Sequence, residues 1–236
     1  MGTLCHIHTQ VLPALMTDGE ILKRIDHTLL KMTASWEEIK ILCDEAVRFN
    51  TASVCIPPCY VKPVFEEYGN DPVIATVVGF PLGYSITAAK VLETERAILS
   101  GASEVDMVIN AGDVKNGRFD FVLEEIKLVK KACGGKILKV IIETCYLTEE
   151  EKIRLCAVVT EAGADFIKTS TGFGTAGATL GDIELFKKHI GPNVKIKAAG
   201  GIKTREDLEA FIAAGVARIG TSSAVKFLAG GAAVNY

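Results

Sequence analysis

The chain has 236 residues, 49% hydrophobic and 23% charged, with 26 Lys and Arg against 29 Asp and Glu for a formal charge of −3. That balance belongs to a cored globular protein and excludes a disordered one. Without a basic excess, neither nucleic acid nor an anionic membrane is expected as a partner, and no apolar run approaches the ~20 residues of a spanning helix.

The opening residues, MGTLCHIHTQ, lack a charged stretch followed by an apolar segment, so secretion is not expected and a cytoplasmic location is. Cys5-His6-Ile7-His8 reads as part of a terminal tail rather than a metal site. Seven cysteines, an odd number mostly inside apolar runs and with no CxxC pair, point to reduced thiols. A helix-like segment, Thr9–Lys23, then leads out of an N-terminal extension of about residues 1–20.

From there, short β-branched runs alternate with longer amphipathic stretches. The expected strands are Arg24–Leu29, Ala52–Ile56, Val73–Gly79, Glu104–Asn110, Ile137–Glu143, Asp165–Thr169, Val194–Ala199 and Ala217–Gly220. Capping-box spacings mark helix starts at Ser35 with Glu38 and Thr148 with Glu151; Thr179 with Asp182 and Thr204 with Asp207 repeat the pattern with a shorter acid. Gly101, Gly163 and Gly215 each stand where a helix would end in a left-handed residue before a strand. The gaps between them are each about two βα units of roughly 30 residues. Eight such units imply a parallel sheet closed into a (β/α)8 TIM barrel, in one domain over residues 1–236 with a tail at about 229–236. An open doubly wound sheet is the alternative, but the first strand–helix turn, Leu29-Leu30-Lys31-Met32-Thr33, lacks its GxGxxG.

Barrel chemistry sits at the C-terminal ends of strands, where a packed core tolerates polar groups only if they are paired. The polar residues in or just after strands are Asp26, Asp106, Asn110, Lys139, Glu143, Lys168, Lys195 and Lys197. They form either a structural ion-pair network or a catalytic one. Lys168 and Lys197 fall near the ends of neighbouring strands. At ~5 Å and an effective dielectric constant of ~20, two ammonium groups repel by about 3 kcal/mol, enough to lower one lysine by roughly two pKa units. A neutral amine in a dry pocket attacks carbonyls to form a Schiff base. Period two puts Lys195 on the same face as Lys197, and Glu104 on the same face as Asp106, so both choices stay open here. Asp106 is the expected carboxylate partner. Asp26 either meets a substrate hydroxyl or anchors the barrel floor, and His27 points to the helix layer. Gly200-Gly201 and Gly220-Thr221-Ser222-Ser223, with a short helix opening at Ser222, read as a phosphate site to which Thr171-Gly172 adds amides.

EVDMVIN, KVIIET, ADFIKTSTGF, KAAGGIKT and RIGTSS, with RIDHTLLK and VCIPPCYV before them, resemble the deoxyribose-phosphate aldolase family from about Ile21 to Ser223. The resemblance implies a class I aldolase on a (β/α)8 barrel, without metal or cofactor. It would reversibly cleave 2-deoxy-D-ribose 5-phosphate to D-glyceraldehyde 3-phosphate and acetaldehyde in deoxyribonucleoside catabolism. Another phosphosugar-processing barrel aldolase or isomerase is the alternative. By resemblance, Lys168 is the Schiff-base lysine, Lys197 the lysine that lowers its pKa, and Asp106 the acid/base. Asp26 lies near the substrate hydroxyls, and Lys139 pairs with Asp106 from behind. Gly172, Gly200, Gly201, Ser222 and Ser223 match phosphate-binding positions. Phe173 and Lys203 depart from relatives that carry lysine and arginine there, which shifts phosphate binding toward backbone amides. The implied partners are a phosphosugar and acetaldehyde; a homo-oligomer, dimer or tetramer, stays open. Tyr236 matches a terminal tyrosine of some relatives and is read as a frayed end.

Overall fold

In a computed structural model that describes residues 16–228, every expected strand forms; seven are trimmed by a residue or two, and the eighth is shifted one residue later, from Ala217–Gly220 to Arg218–Thr221. The strands are β1 Ile25–Thr28, β2 Ser53–Ile56, β3 Ile74–Val78, β4 Glu104–Val108, β5 Ile137–Ile141, β6 Phe166–Lys168, β7 Lys195–Ala199 and β8 Arg218–Thr221. All neighbours pair in parallel, and β1 pairs with both β2 and β8, so the sheet closes in sequence order into a barrel. The main helices alternate with the strands: α1 Asp18–Leu22, α2 Trp36–Phe49, α3 Val61–Tyr68, α4 Thr87–Leu99, α5 Ala111–Lys115, α6 Phe119–Ala132, α7 Glu149–Glu161, α8 Leu180–His189, α9 Arg205–Ala213 and α10 Ala224–Leu228. Cys5-His6-Ile7-His8, residues 9–15 of the expected first helix, the tail from residue 229 and Tyr236 lie outside the described residues.

Local chemistry accounts for the boundaries. Ser35, Thr148 and Thr204 each accept from the amide three residues on, while Glu38, Glu151 and Asp207 reach back. At α8 the box is one-sided. Thr179 accepts from Asp182 N, but the Asp182 carboxylate is held by the Thr179 hydroxyl at 2.9 Å and by Lys152 at 2.6 Å instead of returning to the backbone. Thr17 with Glu20 caps α1 in the same reciprocal way.

The strands are short and almost wholly buried because they face helices outside and the barrel interior within. Outside, Ile39, Leu42 and Ala46 of α2 pack in one cluster with Val54, Ile56 and Ile74. Each of the Ile, Leu and Val side chains contributes about 1.5–3 kcal/mol when fully buried. His27 points outward as expected, its Nε2 2.8 Å from Glu45 Oε2 on α2. The six described cysteines are all free. Among the described residues no helix is long and apolar enough to cross a membrane.

Gly101 and Gly163 follow α4 and α7 with φ of 111° and 72°, left-handed values that side chains resist. Their surroundings differ. A methyl group on Gly101 would run into the Phe65 ring, whereas one on Gly163 would meet open space. We expect Gly163→Ala to lower stability by about 1–2 kcal/mol. Gly101→Ala should lose about 2–5 kcal/mol, because overpacking adds to the backbone strain. Urea unfolding midpoints of the two variants measure the difference.

Candidate active site

Parallel register carries the inward charges of six strands into one cluster. Asp106 on β4 is paired with Lys139 on β5, and Lys168 on β6 with Lys197 on β7, which in turn faces Arg218 on β8. Lys139 Nζ lies 2.9 Å from Asp106 Oδ1, 2.5 Å from Glu104 Oε2 and 3.6 Å from Asp26 Oδ2. Lys168 Nζ and Lys197 Nζ both donate to Asp106 Oδ2, at 2.7 and 2.6 Å. Lys197 also bonds Asp26, whose other oxygen accepts from Ser53 Oγ at 2.8 Å and from Arg218. Arg218 spans to Glu104 at 2.6 Å. Among the described residues, four cations thus meet three carboxylates in the barrel interior.

That imbalance is visible in the proton affinities. Burial opposes the Asp106 charge, but Lys139, Lys168 and Lys197 together hold the carboxyl well below the usual range. Burial also opposes the Lys197 ammonium, yet Asp106 and Asp26 keep it above an ordinary lysine; Lys139 is raised by Asp106, Asp26 and Glu104. Lys168 has only the shared Asp106, so burial, with the Lys197 charge adding to it, lowers its pKa. The expectation that repulsion from Lys197 would dominate needs correction. Burial is the larger cause, and the carboxylate that both amines bond offsets part of the repulsion.

Above the cluster opens a cavity of about 280 Å³. Lys168 lines it, together with Thr171 and Gly172 after β6, Gly200 and Gly201 after β7, and Ser222 and Ser223 after β8. Asp26, Asp106, Lys139 and Lys197 are fully buried beneath it and do not line it. Gly172, Gly200 and Gly201 hold φ of 89°, 81° and 77°, conformations that leave the loop backbone bare. Gly177 packs so closely on the Gly200 carbonyl that a Cβ there would overlap it, and Ala178 N donates to both Ala199 O and Gly200 O at 3.1 Å. Lys203 and Phe173 border the cavity, and the Phe173 ring meets Phe80 edge-on at 5.4 Å.

One local expectation differs from the structure, and two choices that the sequence left open are decided by it. The last helix starts at Ala224 rather than Ser222, because Thr221 Oγ1 accepts from Ser223 N at 3.2 Å in a turn ahead of it. Lys195 is exposed at the start of β7, two residues before Lys197 on the same strand, with its Nζ 5.8 Å from the Phe166 ring, so Lys197 alone of the pair joins the cluster. Glu104 and Asp106 are both inward, which makes the choice between them one of partners rather than of face. Sequence reasoning passed over Arg218, a charge opening a short strand, and gave Glu143 no role. Glu143 is 6% exposed, stands at φ 54° and accepts the Thr171 amide. Among the described residues no three His, Cys, Asp or Glu side chains cluster so as to hold a metal ion.

Chemically, the arrangement offers a buried amine of lowered proton affinity at the base of a cavity ringed by bare backbone. This combination can add to a carbonyl and hold an anion. Residues 21–233 match the family model described as DeoC/LacD family aldolase. The chain is 64% identical over 215 residues to a deoxyribose-phosphate aldolase of Clostridium botulinum, covering 91% of this chain and 97% of that protein. It is 62% identical over 208 residues to the deoxyribose-phosphate aldolase of Clostridioides difficile, covering 88% and 95%. Among solved structures, the tetrameric deoxyribose phosphate aldolase of Aeropyrum pernix superposes with a TM-score of 0.82 at 31% identity, covering 90% of this chain and 91% of that one.

The lysines of the cluster should titrate in a fixed order. With its pKa lowered, Lys168 loses its proton at a lower pH than an ordinary lysine, while Lys139 and Lys197 hold theirs above it. Carbon-13 NMR of reductively methylated lysines, assigned through Lys168→Arg, should show the Lys168 signal moving first as pH rises. A Lys168 signal that titrates with the surface lysines would contradict the charge arrangement.

Proposed function

The chain belongs to the DeoC/LacD aldolase family and catalyses the reaction of its deoxyribose-phosphate aldolase relatives, and we propose that Lys168 is the amine through which it does so. The observation that supports this role is positional. Of the three lysines bonded to Asp106, Lys168 lines the cavity and has its pKa lowered, whereas Lys139 and Lys197 are sealed beneath it and keep their protons.

The reaction then follows from the charges. Neutral Lys168 adds to the C1 aldehyde of 2-deoxy-D-ribose 5-phosphate, and the carbinolamine loses water to give a protonated imine. The imine accepts the electron pair of the C2–C3 bond as the C3 hydroxyl loses its proton through a water to Asp106. With three lysines beside it, Asp106 has little affinity for that proton and returns it through the water, to be delivered to C2 of the enamine. D-glyceraldehyde 3-phosphate departs, the enamine is protonated at C2, and hydrolysis releases acetaldehyde and the free amine. Lys197 adds its charge to the burial that keeps Lys168 short of protons, Asp26 acts through its bond to Lys197, and Lys139 holds Asp106 from below. The phosphate is held by Gly172, Gly200 and Gly201, whose backbone can approach an anion without a side chain intervening, and by Ser222 and Ser223. The enzyme works in the cytoplasm as a single domain and as a homo-oligomer, dimer or tetramer. The tetrameric relative and the exposed Leu92 and Leu99 of α4 beside Phe121 and Leu128 of α6 support the assembly.

Borohydride capture with acetaldehyde tests the roles. Lys168→Ala should abolish both the trapped adduct and turnover. Lys197→Leu removes one of four cations, so Lys168 should hold its proton to higher pH; activity should be weak, recover partly as pH rises, and still trap on Lys168. A label on Lys197 in the unaltered protein would reverse the assignment.

The loops have their own signature. Gly201→Val places a β-branched residue at φ 77° beside the cavity. It should raise KM for the phosphorylated sugar by about tenfold or more while raising that for unphosphorylated deoxyribose far less. Equal losses on both would point to general misfolding.

A further inference from the structure

The imine chemistry and the glycine loops use three sides of the cavity and leave the loop after β1 without a task. That loop contributes Thr28, Leu29, Leu30 and Lys31 to the lining. Among the described residues, the ionisable side chains of the lining are Lys31, Lys168 and Lys203, with no Asp or Glu beside them. Lys168 works as a neutral amine, so the lasting positive charge is carried by Lys203 after β7 and Lys31 after β1. The strand between those two is β8, whose loop brings Ser222 and Ser223. A phosphate monoester carries close to two negative charges near neutral pH. Amides and hydroxyls meet it with dipoles, so one rim lysine alone would leave the anion a charge short.

The backbone of the β1 loop is fixed. Leu29 N donates to Cys55 O at 3.0 Å, one residue past the end of β1, and Ala34 N donates to Lys31 O at 3.1 Å in a tight turn. The Tyr60 hydroxyl then holds Ala34 O at 2.6 Å. From this anchored turn Lys31 extends a partly exposed side chain on a flexible four-carbon stem. Its Nζ lies 3.6 Å from Glu38 Oε1, beyond hydrogen-bond length. The other carboxylate oxygen has a different duty, because Glu38 Oε2 accepts from Ser35 N at 2.8 Å in the capping box of α2. That amide, with the Lys31 charge adding to it, keeps the Glu38 carboxyl below the ordinary range and hence ionised. A fixed carboxylate thus stands beside an ammonium that it attracts without binding closely. Exposed pairs of this kind hold weakly. A dianion within reach offers the ammonium more charge.

We propose that Lys31 is a specificity-determining residue that contacts the substrate phosphate, exchanging Glu38 for it when 2-deoxy-D-ribose 5-phosphate enters. Glu38 is a positioning residue. It holds the ammonium at the rim until the sugar arrives and competes with the anion for it. The inference rests on the aldolase reading above and adds to the glycine and serine loops a charged contact from the β1 side.

Kinetics with the phosphorylated and the unphosphorylated sugar provide the test. Lys31→Gln should lower the preference for 2-deoxy-D-ribose 5-phosphate over 2-deoxy-D-ribose, as a ratio of kcat/KM, by about tenfold, with the loss in KM for the phosphosugar rather than in kcat. Inhibition by inorganic phosphate should weaken in that variant by about the same factor. Lys31→Arg keeps the charge and should hold the ratio within about threefold. Glu38→Gln keeps the capping box, since glutamine serves there as glutamate does. It should move the ratio the other way, up by about twofold to threefold. Combining the two substitutions should return the Lys31→Gln ratio, because Glu38 acts through Lys31. A ratio unmoved in Lys31→Gln, or lost as fully in Lys31→Arg, would overturn the phosphate contact. A ratio that fails to rise in Glu38→Gln, or rises as much without Lys31, would overturn the exchange. Borohydride capture with acetaldehyde, which carries no phosphate, separates this inference from the reading it rests on. Capture in the unaltered enzyme and in Lys31→Gln, with an unmoved ratio, refutes this inference alone. Absence of capture in the unaltered enzyme refutes the aldolase roles and this inference together. Should Lys31→Gln fail to fold, the Lys31→Arg and Glu38→Gln ratios decide by the same criteria.

Discussion

Four cations held against three carboxylates inside the barrel, most of them fully buried, cannot all remain charged at low cost. One proton is in excess, and where it leaves is a matter of geometry. Arg218 never gives up its proton at accessible pH, and Lys139 and Lys197 each touch two or more carboxylates. Lys168 touches one, already shared three ways. The amine nearest the open end of the cluster is therefore also the one least able to hold a charge, which joins reactivity to access without a dedicated base beside the nucleophile.

The barrel makes this possible because a parallel register sets neighbours residue against residue. Lys168 opposite Lys197, and Asp106 opposite Lys139, are consequences of strand alignment as much as of composition. The cluster also ties the seam of the barrel, since Asp26 on β1 bonds Lys197 on β7 and Arg218 on β8, the strands that close the cylinder. Stability and chemistry draw on the same ion pairs, so a substitution that breaks one disturbs both.

Much of this was legible in the chain. Strands buried on both faces read as apolar runs, and a lysine or aspartate inside such a run declares itself, as Lys168, Lys197 and Asp106 did. Helix starts were legible where Ser or Thr stood three residues before an acid. What the linear pattern lacked was register and strand ends. Period two gave Lys195 and Lys197 the same face, yet only a three-dimensional barrel shows that Lys195 lies at the mouth opposite the chemistry. Arg218 opens a four-residue strand, and nothing local says that its guanidinium reaches both Asp26 and Glu104. Glu143 was hardest, because glutamate carries no preference for left-handed backbone; its conformation is imposed by Thr171, 28 residues away.

The contact between Gly177 and Gly200 bears on how such an enzyme can change over time. The two loops that follow β6 and β7 touch backbone to backbone, sealed by Ala178 N, with no room for a side chain between them. Neither loop can be lengthened, exchanged or redecorated at that point while its neighbour stays as it is. New loop lengths at this contact must then arise by paired replacement of both loops, whereas outer positions such as Phe173 and Lys203 border the cavity away from it and can be exchanged singly.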